Sequence, residues 1–188
     1  MTTGKVILGA LFFVIMLTLK IMYSGGMIDM KDEETRIVDV DGQTPVLDQL
    51  IKNGYTVSSP SERSLEQLKA PGVLAGGQHW ITFYRPKDPG MSVDTMLKFF
   101  DDEDMEPATL PEICGVHTID PLTSMPYAIV ALGDTVTDGT SKRYGRLIHD
   151  GGKNKHAEMA LNNPIVPNMI NYYAARPKQK TPVTRIGF

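Results

Sequence analysis

"YAIVALGDTVTDG" at residues 127–139, "SKRYGRLIHDGG" at 141–152 and "NKHAEMALNN" at 154–163 follow one another almost without a break, and their reading decides the fold. The first is a β-strand signature, rich in β-branched residues and ended by Asp138-Gly139. The second returns as its hairpin partner. The third is rich in helix formers: Ala157, Met159, Ala160 and Leu161 predict a short helix. A further helix is predicted over "VPNMINYYAA", where Val166, Met169, Ile170 and Tyr173 fall at helical spacing.

Upstream, "TPVLDQLIKNGY" (44–55) reads as a helix with Thr44 as N-cap, Pro45 at the first position and Gly54 as the stop. "YTVSS" reads as a short strand. "SPSERSLEQLKAPG" (59–72) is a second helix, capped by Ser61, with Ser64, Leu65 and Leu68 at helical spacing. "GGQHWITFYRP" (76–86) is a strand closed by Pro86. "SVDTMLKFFDDED" (92–104) is a helix capped by Ser92, with Val93, Met96, Leu97 and Phe100 inward. Residues 106–126 carry several prolines and no period, which predicts an irregular loop. The alternation of helices and strands implies one mixed α/β (α+β) domain over 46–175 with a short mixed sheet.

Before that domain lie two other segments. Residues 6–19 read "VILGALFFVIMLTL", then Lys20 and "IMY". At about 1.5 Å per residue, Val6 to Tyr23 is long enough to cross the hydrocarbon core. Val6, Leu8, Phe12, Phe13, Ile15 and Leu19 supply the lipid-facing surface, Lys20 snorkels to the headgroups and Tyr23 suits the interface. A cleaved signal peptide is the competing reading, with "MTTGK" as n-region and Ser24 and Gly26 as small residues before the cut. A buried core helix fits poorly with apolarity on every side and the glycine exit. The expectation is an uncleaved single-pass anchor over 1–26, with the lipid bilayer as a partner and the domain on the non-cytoplasmic side. Residues 27–45, "MIDMKDEETRIVDVDGQTP", read as an acidic spacer in which "RIVDV" alternates like a short strand. The tail 176–188 is basic and proline-containing, predicting an extended segment that binds a partner through Arg176, Lys178, Lys180 and Arg185.

Composition removes some chemistries. The chain has 188 residues, 41% hydrophobic and 22% charged, which suits a folded domain. A net charge of −3 argues against a nucleic-acid partner, which requires a strong positive field. A single cysteine, Cys114, leaves no intrachain disulfide and no multi-cysteine metal site.

"HAE" at 156–158 is similar to the first half of the signature of zinc-dependent nucleobase deaminases. The resemblance implies His156 as a zinc ligand and Glu158 as a proton shuttle. It covers three residues, and the P-C-x-x-C half has no counterpart downstream. A looser metal constellation of His149, Asp150, His156 and Glu158 would need "HDGGKNKHAE" to fold back on itself. No Walker, dinucleotide or nucleophile-elbow motif occurs, so no catalytic residue and no cofactor is assigned.

The function expected is therefore an accessory or structural subunit of a larger membrane assembly, such as a secretion, energy-transducing or virion membrane complex, contacting other protein subunits. The alternatives are a membrane-tethered hydrolase or metal-binding enzyme using the four residues above, and a ligand- or envelope-binding module using the loop at 106–126.

Overall fold

The computed structural model describes residues 30–68, 77–116, 125–138, 140–152 and 154–178. Residues 1–26, read as an anchor, and residues 179–188, with Lys180 and Arg185, lie outside them. Among the described residues no helix is long and apolar enough to cross a membrane.

The strands are β1 (Met30–Val40), β2 (Thr56–Val57), β3 (Gly77–Pro86), β4 (Met105–Pro107), β5 (Tyr127–Asp138), β6 (Ser141–His149), β7 (Lys155–Leu161) and β8 (Ile170–Pro177). The helices are α1 (Val46–Lys52), α2 (Ser59–Gln67), α3 (Val93–Asp102) and α4 (Leu110–Cys114). The strands form an 8-stranded mixed sheet in the order β1-β3-β8-β5-β6-β7-β2, with β4 also paired to β8. Pairs β5–β8 and β7–β2 are parallel and the others antiparallel.

Alternation along the central strands sends side chains to two cores. One face carries Ile81, Phe83, Ile129, Leu147, Met159 and Tyr172, covered by Leu50 of α1, Leu65 of α2 and Leu110 and Ile113 of α4. The other carries Tyr84, Val130, Tyr144 and Tyr173, covered by Met96 and Phe100 of α3. Burial on both faces removes the period that separates a strand from a helix in sequence.

That explains two corrections. "NKHAEMALNN" is not a helix: Lys155–Leu161 is β7, paired along its length with β6. Ala157 and Met159 face the α1/α2/α4 core, and a hydrogen-bonded neighbour on one side outweighs a helix propensity worth tenths of a kcal/mol per residue. "VPNMINYYAA" is not a helix either. Its second half belongs to β8, which is held between β3 and β5 with Tyr172, Tyr173, Ala174 and Ala175 all buried.

A third correction concerns the segment read as a spacer over 27–45. Met30–Val40 is an edge strand paired with β3 from Met30↔Pro86 to Val40↔Gly77. Its charges reflect an edge position, not a solvated tether. The loop expected at 106–126 contains β4 and α4, and the sheet extends into Arg176 and Pro177 of the segment read as tail.

Smaller differences lie at the caps. Pro45, not Thr44, occupies the N-cap position of α1. Asp41 organises the preceding turn, accepting from the Gln43 and Thr44 amides and the Thr44 hydroxyl. Ser58, not Ser61, precedes α2; Ser61 is buried and its hydroxyl accepts from the Met159 amide. Ser92 caps α3 as read, accepting from the Thr95 amide at 3.2 Å.

Opposite β6, β5 bulges between Ala131 and Thr135. There the Gly133 amide donates to the Ala108 carbonyl at 2.9 Å. A Cβ at 133 would lie 2.6 Å from the Pro107 carbonyl oxygen. Only glycine lets β5 approach β4 this closely. Gly133→Ala is expected to lower stability by about 1–3 kcal/mol, read from the midpoint of urea unfolding at unchanged slope.

Candidate functional site

Among the described residues a dense polar cluster is built around Glu112. "ATLPEIC" supplies the local instructions: Thr109 and Glu112 form a capping box, and Pro111 lies in the first turn of α4. This T-x-x-E signal was readable within a segment that the absence of a period presents as loop. The Glu112 side chain is 0% exposed. One carboxylate oxygen accepts from the Thr109 amide at 2.7 Å and the Thr109 hydroxyl at 2.9 Å. The other accepts from Arg176 Nη1 at 2.7 Å and His79 Nδ1 at 3.1 Å, which fixes Nδ1 as a protonated nitrogen of His79.

Arg176, at the end of β8, spends its other edge on Glu106 of β4, through Nε at 3.2 Å and Nη2 at 2.9 Å. Asp134, from the β5 bulge, accepts from the Leu110 amide at the start of α4 at 2.8 Å. Burial pushes the Asp134 carboxyl above the usual carboxylate range; the Glu112 charge adds to this and Arg176 opposes it. Chemically the cluster is closed. Both Glu112 oxygens and all three Arg176 nitrogens are engaged, so its geometry suits locking elements together more than attacking a substrate.

The residues singled out as metal ligands are not brought together. In β6 and β7 the register pairs His149 with Lys155 and Ile148 with His156, so the two histidines emerge on opposite faces. His149 is buried, with Nε2 3.0 Å from the Tyr55 hydroxyl and its ring stacked on Tyr127 at 4.4 Å. Asp150 is exposed and holds the β6–β7 turn, accepting from the Gly152 amide and the Asn154 side chain. The Nδ1 of His156 lies 2.6 Å from the Thr56 hydroxyl of β2. Glu158 pairs with Arg146 across the ladder at 2.5 Å, and Arg146 also donates to the Pro164 and Ile165 carbonyls of the crossover. Among the described residues no group of three or more His, Cys, Asp or Glu side chains is placed to hold a metal ion. Cys114 is buried, and burial raises its thiol pKa far from the thiolate range.

Of the basic residues read as a partner-binding tail, Arg176 turns inward and Lys178 forms a surface ion pair with the domain. Lys178 Nζ lies 2.7 Å from Asp101 at the end of α3. An open cleft of about 480 Å³ lies at the start of α3, lined by Ser92, Asp94, Lys142, Tyr144, Asn162 and Ile165 among others. No side chain that is both buried and unpartnered lines it. Comparison of the chain with protein-family models, with curated proteins and with solved structures finds no match.

Two outcomes test the electrostatics. Glu112→Gln leaves Arg176 short of a buried charge and is expected to cost about 3–5 kcal/mol, whereas Glu106→Gln, at a more exposed carboxylate, is expected to cost under about 1 kcal/mol; urea unfolding at neutral pH measures both. For His149, burial lowers the pKa from 6.5 to about 4, with Lys155 adding and Asp150 opposing. The unfolded chain therefore binds a proton that the fold refuses, and stability falls as pH drops from 6.5 to about 4. His149→Gln is expected to flatten the stability profile in that window, measured by thermal unfolding across pH.

Proposed function

We propose that the chain is a single-pass, membrane-anchored accessory or structural subunit of a larger membrane-associated assembly, with its α/β domain on the non-cytoplasmic side. One observation carries this reading: the apolar run Val6 to Tyr23 is separated by a few residues from Met30, the first residue of β1. An apolar segment of that length partitions into a bilayer, and so short a connection holds the folded domain at the membrane surface.

The role in an assembly is supported by the surface that follows the connection. Ile37 of β1 and Trp80 of β3 are cross-strand neighbours, and they are 51% and 58% exposed. A large aromatic paired with an aliphatic on an exposed strand pair is the kind of anchor that protein interfaces bury. The closed cluster at Glu112 fits the same role, since it stiffens the domain and leaves no reactive group pointing outward.

Fractionation of cells expressing the full chain tests the anchor. The chain is expected to sediment with membranes, to resist extraction at alkaline pH and to dissolve in mild detergent. A variant lacking residues 1–26 is expected in the soluble fraction. Full-length chain in the soluble fraction would overturn the reading. Protease added to intact cells or spheroplasts reports the side: digestion of the domain supports a non-cytoplasmic location, and full protection rejects it.

A further inference from the structure

The outer edge of β1 is one end of the sheet order, so its backbone amides and carbonyls have no strand partner among the described residues. The strand spans Met30–Val40, long for an edge that is meant to stay unpaired. Its charge pattern bears on what could add to it. The sequence is "MKDEETRIVDV", with Thr35 at its centre.

Placing a second copy antiparallel, with a two-fold axis through Thr35, overlaps the regular part of the strand beyond the irregularity between Met30 and Asp32. Thr35 then meets Thr35, Glu34 meets Arg36 and Glu33 meets Ile37. Over residues 33–37 no like charges oppose one another. Glu34 and Arg36 already pair within the strand at 2.5 Å, so two copies close a four-charge ring around the axis. The Glu33 stem comes beside Ile37, which is 51% exposed.

Side chains alternate between faces, so only registers two residues apart keep the cores of both copies on matching sides. The neighbouring register on one side places Glu34 on Glu34. The one on the other side places Arg36 on Arg36 and Glu33 on Asp39. Like charges directly opposite are destabilising, and both alternatives put them on the two-fold axis itself. From this the geometry points to a symmetric dimer of this chain, formed by β1 pairing with β1 of a second copy in the register centred on Thr35, so that one sheet runs through both. The interface is isologous, as a two-fold dimer requires. It does not depend on membrane attachment.

The full chain in mild detergent is the material for the test. Light scattering coupled to size separation is expected to give a dimer. Residues opposite one another in an antiparallel ladder have Cα atoms about 4.5–5.5 Å apart, within disulfide reach, so Thr35→Cys is expected to form a covalent dimer on oxidation. Glu34→Cys and Arg36→Cys stand diagonally from their own copies at about 7–8 Å and are expected to cross-link poorly. The wild type, whose Cys114 is buried, is the control.

Arg36→Glu surrounds the axis with carboxylates and is expected to weaken dimerisation on the order of 100-fold, while Glu34→Arg combined with Arg36→Glu restores it. Circular dichroism confirms that each variant is folded. A monomeric wild type, stronger cross-linking through position 34 or 36 than through 35, or a folded Arg36→Glu variant that dimerises unchanged would each overturn the dimer. If Arg36→Glu fails to fold, the three cysteine variants decide.

Discussion

The ion pair between Glu112 and Arg176 is the contact on which the domain's architecture converges. A carboxylate with no solvent exposure is tolerated only when every lone pair finds a donor, because the desolvation penalty is several kcal/mol. The donors come from three places: the Thr109 cap of α4 itself, Arg176 at the end of β8 and His79 on β3. Glu106 of β4 holds the other edge of the same guanidinium. The end of β8, the short strand β4 and the five-residue helix α4 are each too small to be stable alone. Joined through one arginine and one glutamate they become a single cooperative unit, and the β5 bulge is drawn in by Asp134 capping α4.

The parts of this fold that could be read from the sequence are those with a period or a punctuated boundary. β3, the β5–β6 hairpin, α1 and α3 fall where alternation, helical spacing, Ser92 or Gly54 placed them. The elements that escaped lack a countable period of their own. β7 and β8 are flanked by other strands, so their apolar residues follow the two-sided environment and not a single face. In β7, Ala, Met and Leu favour a helix locally, yet the register with β6 fixes the strand. β4 has three residues and α4 has five, below the length at which any period can be counted. The mixed α/β class survived these errors because two helices exchanged for strands still leave helices and strands alternating.

The site was less legible than the fold, for a different reason. Residue type can nominate His149, Asp150, His156 and Glu158, but chemistry needs them on one side of one surface. Strand alternation sends His149 and His156 apart, a turn consumes Asp150, and a cross-strand arginine consumes Glu158. Glu112 offered the opposite case. Its capping-box spelling was present, but its importance comes from Arg176, 64 positions later in the chain, and no local pattern encodes that distance.

The two charged segments also acquire a new meaning. The acidic end of α3 and the basic residues that close and follow β8 lie far apart in the sequence, and the basic ones read as available to a partner. In the fold they answer one another: Asp101 receives Lys178 and Glu106 receives Arg176. An acidic helix C-terminus opposes the helix dipole, and bringing Lys178 to it relieves that strain while the Lys178 amide donates to the Asp104 carbonyl just beyond the helix. Both cations are therefore paired within the domain, Arg176 partly buried and Lys178 at the surface. Among the described residues β1 remains an open sheet edge, with Glu34 and Arg36 paired near its centre.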